Sequence, residues 1–266
     1  MTIARDKAQR GRLGVAPPPW AGPKAAQAGR AGRADKPQLS REAIVAAAMR
    51  IVDGEGLDAV SMRRIAHEFG TGAASLYAYV ANKDELLDLI FDWVMGETAD
   101  RWPETEPTAD NWRDLARDTI RLAHEVLTSH RDVARAFQGR IPFGSNGLRL
   151  VEIQLAIMRA GGVPDGVAAF AGDLIGQFLI SWAVEDDMWR TRFADADEER
   201  IAGQMAEIRD YLAALPADRF PNVVALAGPL MSQQPEGLDR FELGLEVLLR
   251  GIASFAADAR ERDGKD

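Results

Sequence analysis

The strongest constraint on this chain lies in residues 61–79, where two short helical patterns flank a glycine-bounded turn. Ser61 can cap a helix that turns Met62, Ile65, Ala66 and Phe69 to one side. Gly70-Thr71-Gly72 then breaks the period, since glycine supplies both the backbone freedom and the small size that a close crossing needs. A second short helix runs through Ala73–Tyr79, with Leu76 inward and Ala73, Ala74, Ser75, Ala78 and Tyr79 outward. A longer helix before them, capped by Ser40, carries the buried stripe Ile44, Val45, Ala48, Ile51 and Val52 and ends near Gly54 and Gly56. Together they describe a helix-turn-helix, the device that lays its second helix in the major groove of DNA. Spacing alone also fits an ordinary helical hairpin.

The rest of the ordered text is helical as well. Asn82 followed three residues later by Glu85 predicts a capping box for a long helix through Leu86, Leu87, Ile90, Phe91 and Val94, ending at Gly96. After a polar loop containing Pro103 and Pro107, helices are predicted near 110–129, 132–138, 146–160, 164–191, 197–214 and 237–257. Gly161-Gly162 and Pro164 mark one break. Residues 216–236 hold four prolines and read as a long loop with room for one helical turn. No alternating strand pattern is evident, so the expected fold is all-α with nine or ten helices.

Charge is distributed unevenly. Residues 1–38 carry eight basic and two acidic side chains, a surplus of six, in a chain whose net charge is −9. The remainder is therefore −15, and since residues 39–83 balance five against five, the acid excess lies beyond Lys83. The first segment, rich in Ala, Gly, Pro and Arg with no apolar period, reads as a disordered tail: either a solvated extension or a basic arm adding phosphate or minor-groove contacts. The expected organisation is tail 1–38, helix-turn-helix head 39–85, a larger helical domain 86–258 and a disordered end 259–266. With no cysteine there is no disulfide framework, thiolate metal site or thiol nucleophile. The apolar runs fall short of the ~20 residues of a membrane span, and the N-terminus lacks the apolar core of a signal peptide, so a soluble cytoplasmic protein is expected.

Three runs carry a specific resemblance. Ser61-Met-Arg-Arg-Ile-Ala-His-Glu-Phe-Gly70, Ser75-Leu-Tyr-Ala-Tyr-Val80 and Asn82-Lys-Asp-Glu-Leu86 resemble the signature of the TetR family of transcription regulators. Ser129-His-Arg-Asp132, Ile141-Pro142, Leu150-Val-Glu-Ile-Gln-Leu155, Val184-Glu-Asp186 and Phe241-Glu-Leu-Gly-Leu-Glu246 are similar to the tetracycline-repressor type of C-terminal domain. The resemblance implies a homodimer that binds a palindromic operator and leaves it when a small molecule enters the larger domain.

By that resemblance Arg63 is a candidate base reader, its guanidinium fork suiting guanine O6 and N7, or equally a phosphate contact. Ser75, Tyr77, Tyr79 and Lys83 fall where the DNA backbone is held, and Thr71, Ala73 and Ala74 also face the duplex. The two alanines stand where relatives place polar base readers, which shifts specificity toward thymine methyl contacts and DNA shape. Trp112, Leu115, Thr119, Phe137, Met158, Phe178 and Trp182 are the candidates for an effector pocket suited to a flat, largely apolar ligand with a few polar handles. In repressors of tetracycline the drug arrives with magnesium. Here Phe137 matches a histidine of that site, Thr119 an asparagine and Ala99 roughly another histidine, and a phenyl ring cannot coordinate a hard cation. No cofactor or metal is therefore called for. Helices 164–191 and 237–257, with stripes Val167, Phe170, Ala171, Leu174, Phe178 and Phe241, Gly244, Leu245, Leu248, Ile252, are expected to pair with their symmetry mates.

Two other readings bound this one. An enzyme would have to rest on three histidines and scattered carboxylates. His124 and His130 are six residues apart, about 600° around a helix, and share no face; Glu185-Asp186-Asp187 point in different directions. A regulator-derived helical module that binds a ligand or protein without binding DNA is the second alternative.

Overall fold

The computed structural model describes residues 39–194 and 196–263; the basic segment 1–38 and residues 264–266 lie outside the described residues. The head begins where the Ser40 hydroxyl accepts the Ala43 amide at 3.1 Å, opening α1 (Arg41–Glu55). Gly56, at φ +88°, ends it in a conformation that side-chain-bearing residues avoid. Ser61 caps α2 (Met62–Glu68) through the Arg64 amide, and α3 (Ala73–Leu76) follows. Asn82 then caps α4 (Lys83–Arg101) by accepting the Glu85 amide at 2.8 Å. The Glu85 carboxylate returns to the Ala81 amide at 2.6 Å, one residue earlier than a standard capping box.

Three details differ from expectation. The recognition helix is shorter: regular helix stops at Leu76, and Tyr77–Tyr79 continue as turns in which the Tyr79 and Val80 amides donate to the Leu76 carbonyl at 2.9 Å. Gly70 sits at φ +60° as the turn requires, whereas Gly72 has an ordinary φ of −83° and open space beside it. Gly96 does not end α4. It is buried within the helix, and a β-carbon there would fall 2.7 Å from the Asn146 amide, so the glycine is what lets α7 approach.

The larger domain comprises α5 (Trp112–Ser129), α6 (Val133–Phe137), α7 (Ser145–Ala160), α8 (Asp165–Arg192), α9 (Glu198–Ala213), α10 (Pro221–Ala225), α11 (Ala227–Met231) and α12 (Arg240–Asp263). The described residues thus hold twelve α-helices, two more than the upper expectation, because 216–236 forms two short helices rather than one turn. Pro221 opens α10 at a position where a missing amide hydrogen costs nothing. The helix α12 runs five residues beyond 258, so 259–263 are helical and not a disordered end. Among the described residues there is no strand, as expected.

Two apolar clusters organise the packing. One joins the head (Ile44, Ile51, Ile65, Leu76, Leu86, Ile90) to Val126, Val133 and Phe137 of α5 and α6. The other gathers α5, α7, α8 and α12 around Trp112, Ile157, Met158, Ile175, Leu245 and Leu249. The head core therefore continues across residue 85 without a gap. A polar joint reinforces it: Asp92 of α4 accepts the Asn146 and Gly147 amides, both at 2.9 Å, and so satisfies the open N-terminus of α7 from another helix.

By length and composition α8 is apolar enough to cross a membrane, with mean hydropathy 1.6 in its most apolar window, which corrects the expectation that no run comes near that. One side of it packs on α5, α6, α7 and α12; Phe170 and Leu174 on the other are exposed. The stripe expected to meet a symmetry mate is accordingly divided. Ala171, Leu245 and Ile252 are buried within the chain, and Phe178 packs against Phe241, while Phe170 and Leu174, joined by Val247 and Phe255 of α12, remain exposed.

Candidate nucleic-acid interface and effector cavity

The outward surface of the helix-turn-helix is built from few charges. Arg64 is spent on Glu55 and Glu68, at 2.5 Å each. Arg41 pairs with Glu85 and donates to the Tyr79 carbonyl at 2.8 Å, pinning the start of α1 against the turn after α3. By contrast Arg50, Arg63 and Lys83 are exposed and make no side-chain ion pair among the described residues. Of the adjacent arginines, then, Arg63 is the one whose fork is free, and Lys83 stands in the first turn of α4 beside amides that already favour an anion.

Ala74, Ser75, Tyr77, Ala78 and Tyr79 are exposed, Tyr77 and Tyr79 by 46% and 37%. That exposure sets aside a core role for Tyr77. Thr71 and Ser75 exchange a hydroxyl hydrogen bond at 2.9 Å. Ala73 departs from the outward set, because it leans on the head cluster and is half-buried.

In the larger domain α5, α7 and α8 line a cavity of about 40 Å³. Its wall is apolar (Ala116, Ile120, Leu150, Ile157, Met158, Ile175) apart from Thr119 and Gln154. The Thr119 hydroxyl donates to the Leu115 carbonyl at 2.7 Å, leaving lone pairs toward the interior. Gln154 makes no hydrogen bond among the described residues and is the open polar handle. In the sequence it stands with Glu152 as one of two polar residues in the otherwise apolar stretch Leu150–Met158.

Residues 44–90 match the family model described as bacterial regulatory proteins, tetR family, and 103–255 match that of the tetracyclin repressor-like C-terminal domain. The chain belongs to the TetR family. It is similar to the HTH-type transcriptional repressor DrrR1 of Streptomyces coeruleorubidus, 33% identical over stretches covering 87% of this chain and 83% of that protein. Apo ActR of Streptomyces coelicolor aligns with TM-score 0.72 and 40% identity, covering 85% of this chain and all of that one. ActR in complex with actinorhodin aligns at 0.69 and 41%, covering 80% and 95%. This TetR-family protein is a ligand-responsive transcriptional regulator and not an enzyme; like its family it binds operator DNA and a small-molecule effector as a homodimer.

Within this regulator the seven pocket candidates do not converge. Thr119 and Met158 line the cavity. Trp112 and Leu115 belong to the same cluster but stand behind the wall; Trp112 lies against Gly161, where a β-carbon would fall 2.4 Å from the indole. Phe137 is buried in the head-side cluster, 4.5 Å from the ring of Phe91. Phe178 and Trp182 pack around Phe241, Phe178 tilted and Trp182 edge-on, and Trp182 faces a separate groove of about 430 Å³ with Leu226, Leu230 and Val247. Aromatic content marked the core, and only two of the seven reach the cavity.

His124 is taken up between α8 and α12. Its ring stacks on Phe241 at 4.1 Å with Nε2 3.2 Å from Asp186, yet that nitrogen is buried without a well-directed hydrogen bond. Burial holds it below the ordinary imidazole range, against the opposing pull of Asp186, Asp239 and Glu242.

Proposed function

We propose that this regulator binds a palindromic operator as a two-fold dimer and leaves it when a flat, largely apolar molecule opens the α5–α7–α8 cavity. The observation that carries the reading is the pair of unspent cations, Arg63 and Lys83, around the exposed Ser75, Tyr77 and Tyr79. Arg63 reads a base edge; Ser75, Tyr77, Tyr79 and Lys83, with Thr71, hold phosphates; Ala73 and Ala74 contribute methyl groups and closeness. The exposed Phe170, Leu174, Val247 and Phe255 of α8 and α12 are the surface a second copy covers, and two-fold symmetry sets two heads at least one turn of DNA, ~34 Å, apart. The protein works in the cytoplasm, where its operator is. The surplus of six positive charges on 1–38 adds phosphate contacts, since Arg41 fixes the start of α1 beside Tyr79 and Glu85.

A cavity of about 40 Å³ is roughly one water in size, far below the ~300 Å³ a drug-sized ligand fills. The effector must therefore part α7 from α5 and α8. That motion reaches the head through α4, to which Asp92 binds the start of α7. Since ActR is solved with actinorhodin, a polycyclic quinone of that kind is the first probe. Quenching of tryptophan fluorescence by actinorhodin, weakened in Gln154→Ala, supports this reading of the cavity. Equal quenching in both proteins removes Gln154 from it.

A further inference from the structure

One buried side chain joins the head to the cavity helix, and its bonding depends on a proton. His130 follows α5, the helix that contributes Ala116, Thr119, Ile120 and Ala123 to the cavity. Its ring is nine-tenths buried, with the edge of Trp93 against it at 5.4 Å. Nδ1 lies 2.9 Å from the carboxylate of Asp53, in α1 of the head, and Nε2 lies 3.1 Å from that of Glu97, in α4. Both carboxylates are acceptors only. A neutral imidazole has a single N–H and ties one of them; an imidazolium has two and ties both.

The geometry points to His130 as a proton-dependent positioning residue that fixes the head against the effector domain. With the proton bound, one ring holds α1, α4 and the end of α5 together by two charge-assisted hydrogen bonds. Without it, one link turns into a lone pair facing a carboxylate, and the head gains freedom relative to α5. A dimer must set two heads at one spacing, so that freedom lowers DNA affinity. The other charged groups around this corner are already engaged. Arg131 lies 3.7 Å from Asp132; α8 contributes Arg190, bound to Asp187 and the Thr128 carbonyl; Arg101 of α4 pairs with Glu125 of α5. Asp53 and Glu97 have no partner but the ring among the described residues.

This inference rests on the DNA-binding reading, and the test separates the two. The full chain is titrated by fluorescence anisotropy against a duplex of the sequence it enriches from a random pool, at fixed ionic strength from pH 5.5 to 8, beside His130→Gln. The wild type should lose affinity on the order of five-fold or more as pH rises, whereas His130→Gln should be weak and nearly flat. The double variant Asp53→Asn, Glu97→Gln, which keeps the ring and alters half-exposed positions, should be flat as well. His67→Gln and His124→Gln should retain the wild-type slope. In ¹⁵N-histidine spectra, assigned with these variants since the chain has three histidines, both His130 nitrogens should carry protons at the acid end. Parallel pH profiles for wild type and His130→Gln, or a slope that survives in the double variant, overturn the inference and leave the operator reading intact. Failure of the folded wild type to bind any duplex overturns both.

Discussion

The head and the effector domain solve their packing differently. In the head nearly every polar end is closed locally: Ser40, Ser61 and Asn82 cap three helices, and Gly56 and Gly70 turn the chain at positive φ. What it leaves open is polar, namely Arg50, Arg63, Lys83 and two phenols. The effector domain leaves apolar surface open instead, on α8 and α12 and along α9–α11 at Ile208, Tyr211, Leu226 and Leu230. The cavity between α5, α7 and α8 is small, about 40 Å³. Unpaired exposed cations suit the operator contact proposed above, and exposed apolar side chains suit the proposed contact with a second copy. The two halves of one chain therefore advertise different partners.

Leu76→Ala should break the comparison most forcefully. Leu76 is fully buried in the head cluster where α3 packs on α2, and its loss should cost about 2–5 kcal/mol. DNA binding should vanish while effector-domain helicity and dimerisation persist in sedimentation and circular dichroism. A fall of both together would mean that the cluster shared by head, α5 and α6 unfolds as one unit.

Arg63→Ala should cost about 1–3 kcal/mol of binding and relax preference at one position of each half-site, whereas Lys83→Ala should weaken all sequences alike. Competition between matched and mismatched duplexes separates the two. Uniform weakening by Arg63→Ala would make it a phosphate contact.

Gly161→Ala tests the other half. Its β-carbon meets the Trp112 ring, so the effector domain should lose about 1–3 kcal/mol in urea denaturation with operator affinity kept at low temperature. No loss would mean that Trp112 has room to move.

The smallest effect concerns acid. His124 is held below its ordinary range by burial, so the unfolded chain takes up the proton first. Stability should fall as pH drops through the unfolded value near 6.5 and continue falling to the folded one. His124→Gln should lose that part of the slope; an unchanged slope would assign it elsewhere.

These differences also explain what was legible in the sequence. The head was read nearly whole because its information is local: a cap and the amide it satisfies lie three residues apart, and Leu76 is one turn from its own glycine. Asp92 capping α7 joins residues 54 and 55 apart, and nothing near either end announces it. In the effector domain Phe137, Phe178 and Trp182 fill space between helices, while aliphatic residues and Gln154 shape the cavity, a division that residue type alone does not announce. Prolines hid α10 and α11, since proline that ends one helix also starts another.

The most direct test of operator binding is in vitro selection of duplexes by the purified full-length dimer. The account predicts an enriched palindrome whose half-sites are one helical turn or more apart, lost in the combined Arg63→Ala, Lys83→Ala variant. No enrichment from a folded dimer would contradict it and leave a ligand-binding module without an operator.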